Sequence, residues 1–436
     1  MLFEIRSILQ YLPHFSYIGA CLPYPCPTMR LLHTSDWHLG QTLHNYERGY
    51  EHQRFLDWLL DTLVAEQVDV LLVAGDVFDN ANPSAASQKQ LYVFLQQARA
   101  RLPALQLVVV AGNHDSAGRL EAPGPLLAAH GTHVIGHLLR GDDGQIDLER
   151  LLLPLAGSDG QVRAWCLAVP FLRPGDVPKL PAGDTQDAYL GGIALLYRQL
   201  TDLALARRQP DQAIIAMGHC HMVGGEMSND SERRIVIGGT EMLPSGIFDT
   251  SIAYAALGHL HKAQAVGGQE HVRYCGSPIP LSFAEVNYRH QVLCLDIDGE
   301  ALQSVRAIEV PRAVPLLRVP AAPAPIAEVL VQLAALDVPD APAEAQPFLE
   351  VRVRLEAPEP GLRTRIETAL DGKSVRLAKI ETSSAARSSA PENMTLDQLG
   401  QLQPDDIFRR LYLQKYAKEA PPELLSALAE LLLPGA

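Results

Sequence analysis

No two of the six cysteines stand in a Cys-X-X-Cys spacing: Cys21, Cys26, Cys166, Cys220, Cys275 and Cys294 are scattered over 436 residues. That argues against a zinc ribbon and, in a chain of this size, against a disulfide frame; reduced thiols in the cytoplasm are expected instead. No apolar run approaches the ~20 residues that a membrane-spanning helix needs. Basic charge is also short, with 36 Lys and Arg against 50 Asp and Glu and a net charge of −14. The surface is therefore not coated for non-specific nucleic-acid binding. A local basic groove is still allowed, and bound divalent cations would add positive charge that the count ignores. There is no internal repeat at a fixed period. What remains is an ordinary globular composition, 47% hydrophobic and 20% charged, on a chain too long for one modest core. Two or three domains are expected.

Residues 1–28 stand apart. Gln10, Pro13 and His14 interrupt any signal-peptide core, and Glu4 offsets Arg6. Met29-Arg30-Leu31-Leu32-His33-Thr34-Ser35-Asp36 reads as a protein start running into a first strand, so the preceding segment is expected to be a mis-assigned start or a disordered extension. From Met29 to about Val310, strand-like runs alternate with helical periodicity. Strands are expected at Arg30–Thr34, Val68–Ala74, Leu105–Ala111, Ala164–Val169, Ala213–Met217 and Ile252–Leu257, with helices at Tyr46–Gln67 and Ser84–Leu102. Such alternation is the βαβ unit of a layered α/β domain, 29–310. A Pro/Ala stretch, Val310–Pro325, leads to a small α+β domain at 315–382. In it Leu349, Val351, Val353 and Leu355 alternate with charged residues, and helices are expected near Ile326–Leu336 and Leu362–Leu370. A strand follows near Val375–Ile380. Thr382–Thr395 is a Ser/Ala linker, and the tail, 396–433, offers two short amphipathic helices.

Five motifs follow strand-like runs, in order: Asp36-Trp37-His38, Gly75-Asp76-Val77-Phe78-Asp79, Gly112-Asn113-His114-Asp115, Gly218-His219-Cys220-His221 and Gly258-His259-Leu260-His261. Ligands bind outside the carboxyl ends of strands in such folds. Two divalent ions ~3.5–4 Å apart need N and O donors and a bridging carboxylate. Asp76, after a glycine that lets the strand end turn sharply, is the natural bridge. Asn113 adds a neutral oxygen, and imidazole mixed with carboxylate favours manganese, iron or zinc over magnesium. Asp36 and His38 alternate along an extended segment, so the backbone must curve to bring both inward. His114 suits protonation of a leaving oxygen, with Asp115 holding its ring in one tautomer. A water activated by the ions would be the nucleophile.

Any one of these motifs alone occurs by chance, and an isolated histidine more often makes a structural hydrogen bond; five in order make coincidence a poor account. His44, His52, His130, His133, His137, His271 and His290 keep the ordinary role, Asp79 is expected to shape the loop after Asp76, and Cys220 to be a bystander. The Leu/Tyr stripe of the tail suits either core or partner binding.

This ordered set resembles the calcineurin-type metallophosphoesterase superfamily. Within it, the segments His33–Gly40, Ala256–Gln264 and Tyr274-Cys275-Gly276-Ser277-Pro278-Ile279-Pro280-Leu281-Ser282-Phe283 are similar to the SbcD family, nuclease subunits of bacterial SbcCD complexes. The resemblance covers Met29 to about Ile297 strongly and extends, with less specificity, through the small domain and the tail. It implies a calcineurin-like α/β sandwich with a small α+β capping domain and a helical C-terminal tail. It also implies Asp36, His38, Asp76 and His261 on one metal, Asp76, Asn113, His219 and His259 on the other, and His114 as the catalytic histidine. His221 has no counterpart in the family pattern. The further implications are two ions, manganese foremost, a homodimer within a heterotetramer, and an SbcC-type coiled-coil ATPase gripping the tail. The expected activity is a DNA exonuclease on double strands and endonuclease on single strands and hairpins, serving repair, replication and recombination. A stand-alone phosphatase or small-nucleotide phosphodiesterase on the same scaffold is the alternative, and an inert scaffold or DNA-binding subunit a third.

Overall fold

Leu31 and Leu32 lie on opposite faces of the strand Met29–Thr34, and both are fully buried. A strand buried on both faces needs a layer on each side, and the chain supplies a second sheet on one and helices on the other. The computed structural model describes residues 28–180, 187–226, 242–355 and 359–384, with Phe408, Tyr412, Leu413, Pro421 and Leu424 of the tail. Residues 1–27, the linker after Ser384 and the expected tail helices otherwise lie outside the described residues.

The described residues divide into two compact units. The first holds those up to Arg318 together with Leu336–Glu350 and Leu370–Lys379. Its first sheet has six strands in the order Ala301–Glu309, Gln291–Asp298, Met29–Thr34, Val70–Ala74, Gln106–Val110, Thr132–Ile135. The last four run parallel, while Gln291–Asp298 is antiparallel to Met29–Thr34. The second sheet also has six, in the order Gln264–Val266, Gln269–Tyr274, Ile252–Gly258, Ala213–His219, Val162–Ala168, Leu152–Ala156. Leu31, Val70, Leu72 and Val108 of the first sheet share one core with Ala164, Ile215, Met217 and Tyr254 of the second. Leu32, Leu71, Val73 and Val109 face the other way, onto Phe55, Leu59, Leu91 and Phe94 of the helices Gly49–Ala65 and Ala85–Arg101. The helix Ala188–Arg207 packs on the second sheet, and its Ile193, Leu196 and Tyr197 join the same apolar cluster. The layering is thus a sheet-on-sheet sandwich carrying helices, as the alternation of the sequence required.

All six expected strands are present, and their bounds differ by a few residues at most. The expected helix Tyr46–Gln67 begins later, at Gly49, because Tyr46–Glu47 pairs with Thr42–Leu43 as a short hairpin. Ser84 caps the next helix by accepting from Ser87 N at 3.1 Å. The Pro/Ala stretch contains a strand, Leu316–Ala324, at the edge of a three-stranded sheet with Phe348–Leu355 and Arg376–Ser384. An edge position tolerates Pro320 and Pro323, which donate nothing to a ladder.

The second unit holds Val319–Ala335, Val351–Ala369 and the described residues from Ile380 on. Within it Val329, Leu333, Val351, Val353 and Ile366 are buried. Arg352 donates to Glu381 Oε2 at 2.7 Å and to the Ala321 carbonyl at 2.8 Å.

Candidate metal centre

The carboxyl ends of the parallel strands from both sheets converge on one spot. Asp36 follows Met29–Thr34, Asp76 follows Val70–Ala74 and Asn113 follows Gln106–Val110, while His219 ends its strand and His259 lies one residue past its own. These two strands are parallel neighbours in a register that pairs Leu257 with Gly218 and Gly258 with His219. The two Gly-His-X-His motifs are therefore offset by one position rather than aligned. That offset brings the His219 and His259 rings to 5.5 Å between centroids and makes the motifs unequal.

Backbone strain collects here. Among the described residues, seven that are not glycine have a left-handed backbone, and four of them are Asp36 (φ 54°), His38 (φ 47°), Asp76 (φ 48°) and His259 (φ 109°). Such conformations cost roughly 1–3 kcal/mol each and persist where surrounding structure over-determines them. They supply the curvature that brings Asp36 and His38 to one side. Trp37, between them, points into the helix layer. It is 1% exposed, makes edge contacts with Phe55 and Phe94 at 5.7 and 5.4 Å, and donates from Nε1 to Thr34 Oγ1 at 2.9 Å.

Glycines make room for the imidazole of His219. A Cβ on Gly75 (φ 90°) would meet His219 Nδ1 at 2.2 Å, and one on Gly258 would meet the Ala74 carbonyl at 1.8 Å. In the space they leave, His219 Nδ1 donates to that carbonyl at 2.9 Å, which turns Nε2 to the site. His219 Nε2 lies 3.0 Å from Asn113 Oδ1 and 3.3 Å from Asp76 Oδ2, and His259 Nδ1 lies 3.1 Å from Asn113 Oδ1. Asp76 Oδ2 is also 3.6 Å from His38 Nε2. Ligands bound roughly 2.0–2.2 Å from one ion sit about 3–3.5 Å from their neighbours, a range that includes the spacings of His219 and His259 and falls just short of that between His38 and Asp76. Groups with three donor atoms within 4.8 Å of one another are Asp36, His38, His261; His38, Asp76, His114; and Asp36, Asp76, His219. Two ligand atoms, His38 Nε2 and His259 Nε2, are buried without a hydrogen-bond partner among the described residues. A set of N and O donors packed this closely, with such atoms left over, fits divalent cations.

The electrostatics agree. Burial raises the Asp36 carboxyl. Burial would raise Asp76 too, but His219, His38 and His114 outweigh it and hold Asp76 far below the ordinary range. Burial opposes charge on His219, yet Asp76 and Asp36 push it up to about 9. Burial and the neighbouring His219 charge hold His259, by contrast, well below its ordinary value.

The sequence-predicted residues Asp36, His38, Asp76, Asn113, His114, His219, His259 and His261 all meet at this centre. Asp115 takes a different contact from the one expected. Its carboxylate accepts from Val77 N at 3.1 Å and from Phe78 N and Gly112 N at 2.9 Å, clasping the Asp76 loop to the Asn113 loop. Burial and the nearby Asp76 charge raise it to about 6. The acceptor at His114 Nδ1 is the Asp79 carbonyl, 2.7 Å away, so Asp79 and not the Asp115 carboxylate orients that ring. Asp79 Oδ1 also stands 3.3 Å from His38 Nδ1, so the loop residue holds two histidines. Its spacing three after Asp76 was the available signal. Glu285 lay outside every motif, yet its Oε1 is 2.9 Å from His261 Nδ1. His221 is buried with its ring 6.0 Å from that of His259, and burial pushes the Cys220 thiol up to about 12.

A double-layered sandwich with this donor set at its strand ends is the architecture of a metal-dependent phosphoesterase, and the calcineurin-like phosphoesterase family matches residues 29–263. The type 5 capsule protein repressor C-terminal domain family matches residues 312–416. The chain is 44% identical to the SbcD subunit of the SbcCD nuclease of Rhodobacter capsulatus, over 84% of this chain and 91% of that protein. It is 35% identical to the SbcD subunit of the SbcCD nuclease of Escherichia coli K12, over 89% of this chain and 94% of that protein. It belongs to the SbcD family of calcineurin-like phosphoesterases and is a metal-dependent nuclease of the metallophosphoesterase type.

Proposed function

We propose that this chain cuts DNA, as exonuclease on duplex ends and endonuclease on single strands and hairpins, with two divalent ions that are manganese in the cell. Asp36, His38, Asp76 and His261 would hold one ion, and Asp76, Asn113, His219 and His259 the other. The observation that carries this is the position of Asp76 Oδ2, 3.6 Å from His38 Nε2 in one set and 3.3 Å from His219 Nε2 in the other. When bound, such ions supply an activated water and offset charge on the phosphodiester.

The rest is work for side chains. His219 donates Nδ1–H to the Ala74 carbonyl, so Nε2 is turned to the site and would offer a lone pair to an ion that displaces its proton. His114 donates Nδ1–H to the Asp79 carbonyl, and a proton on its Nε2 would serve the leaving oxygen or developing charge on phosphate. Asp115 acts as a positioning residue by tying together the two loops that carry Asp76 and Asn113. An acidic chain with net charge −14 needs a partner to hold duplex DNA, which favours an obligate complex. That partner is an SbcC-type coiled-coil ATPase, bound by the tail at 396–433. The nuclease body is 29–310, the capping domain 315–382, and the assembly a heterotetramer built on a homodimer in the cytoplasm. No described helix is long and apolar enough to cross a membrane.

The test compares duplex DNA with a mononucleotide ester in manganese, with and without such an ATPase and ATP. DNA cleavage that is stimulated by the ATPase is the expected result. Hydrolysis of the ester alone makes the chain a stand-alone phosphatase, and absence of both metal binding and cleavage makes it an inert scaffold.

A further inference from the structure

Glu285 is fully buried, at 0% exposure, in the single turn Phe283–Glu285. A carboxylate removed from water must be met by donors on its oxygens. Here each oxygen has one: Oε1 is 2.9 Å from His261 Nδ1, and Oε2 accepts from Leu281 N at 2.7 Å. The backbone N–H of Leu281 can only donate, which makes Oε2 an obligatory acceptor. Ser282 Oγ accepts from Ala284 N at 3.2 Å and fixes the turn that aims the carboxylate. On its other side, His261 shares a donor group with Asp36 and His38. An imidazole whose Nδ1–H is committed to a carboxylate can offer only Nε2, as a lone pair, to that group.

We infer that Glu285 is a positioning residue of the metal centre: its carboxylate holds His261 in the Nδ1–H tautomer and delivers Nε2 to the ion shared with Asp36 and His38. This rests on the proposal that His261 is a ligand. The geometry also says what an isosteric amide would do. In Glu285→Gln, an Nε2 facing Leu281 N sets two donors against each other. If it faces His261 instead, it drives the imidazole to the opposite tautomer, whose Nε2–H cannot ligate.

Two measurements test this on the full-length chain. In metal-free wild type labelled with ¹⁵N-histidine, the His261 signal, identified by its loss in His261→Asn, should report the proton on Nδ1. A proton on Nε2 overturns the inference, whatever any variant does. In manganese titrations, wild type should bind two ions, and Glu285→Gln should weaken one site by about 10–100-fold while sparing the other. Its cleavage should recover as manganese is raised. Unchanged affinity at both sites in a folded Glu285→Gln overturns the inference but leaves the two-metal proposal intact. A wild type that binds no manganese overturns both. The tautomer is read without metal and without that variant, so misfolding of Glu285→Gln leaves the question decidable.

Discussion

His114 stands beside the donors and is held by a backbone carbonyl at Nδ1. His114→Asn removes the group assigned to the leaving oxygen, so cleavage should fall by about 10²–10⁴-fold. The count of bound metals should stay at the wild-type value, and elemental analysis after dialysis checks it. The paired motifs make a sharper test: His219→Ala should lose metal and activity, whereas His221→Ala should keep both. Two further histidines make stability depend on acid pH. Burial depresses His33 and His52 to about 3 in the folded chain, against an ordinary value of 6.5. Each therefore contributes stability that is complete above pH 6.5 and is lost as pH falls toward 3, by about 1.4 kcal/mol per pH unit. Denaturant midpoints should drop between pH 7 and 5, and His52→Leu should show a shallower slope than wild type. The donor residues were legible because each follows an apolar run within a short motif. Glu285 was not, because it meets His261 only through the fold, 24 residues on.

At the scale of elements, side-chain alternation and tight glycines do the positioning. Trp37 anchors the segment bearing Asp36 and His38 by burying its ring against Phe55 and Phe94. Trp37→Ala should therefore cost about 3–5 kcal/mol in chemical unfolding and lower metal affinity as the segment loosens. Gly258→Ala places a methyl against the Ala74 carbonyl that holds His219. It should destabilise the chain by about 1–3 kcal/mol and weaken the metal site proposed to include His219. A substitution at Gly246, where a Cβ meets nothing within 4 Å, should do neither. The strands could be read from their apolar runs. The hairpin before Gly49 could not, since pairs of two residues leave no periodicity to read. The strand through Pro320 and Pro323 was hidden for a related reason: proline composition signals a linker unless the strand lies at an edge.

For the whole molecule, metal and fold are linked, because cations that bind only the folded centre stabilise it by mass action. Manganese at a hundredfold excess over its dissociation constant should add about 2.7 kcal/mol. Thermal unfolding with manganese or EDTA should show that difference in wild type and a smaller one in His219→Ala. The sequence by itself determined the layered α/β class, the strands that bear the motifs, and the chemistry of the donor set. Those follow from local properties, namely apolar periodicity and residue types that ligate. Only the tertiary structure decided which groups face one another at the centre. The one-residue offset between the strands of the two Gly-His-X-His motifs is a matter of pairing between chain segments 40 residues apart, with Gly258 beside His219. Likewise, the Asp79 carbonyl and the Glu285 carboxylate reach their histidines through packing that no local pattern encodes.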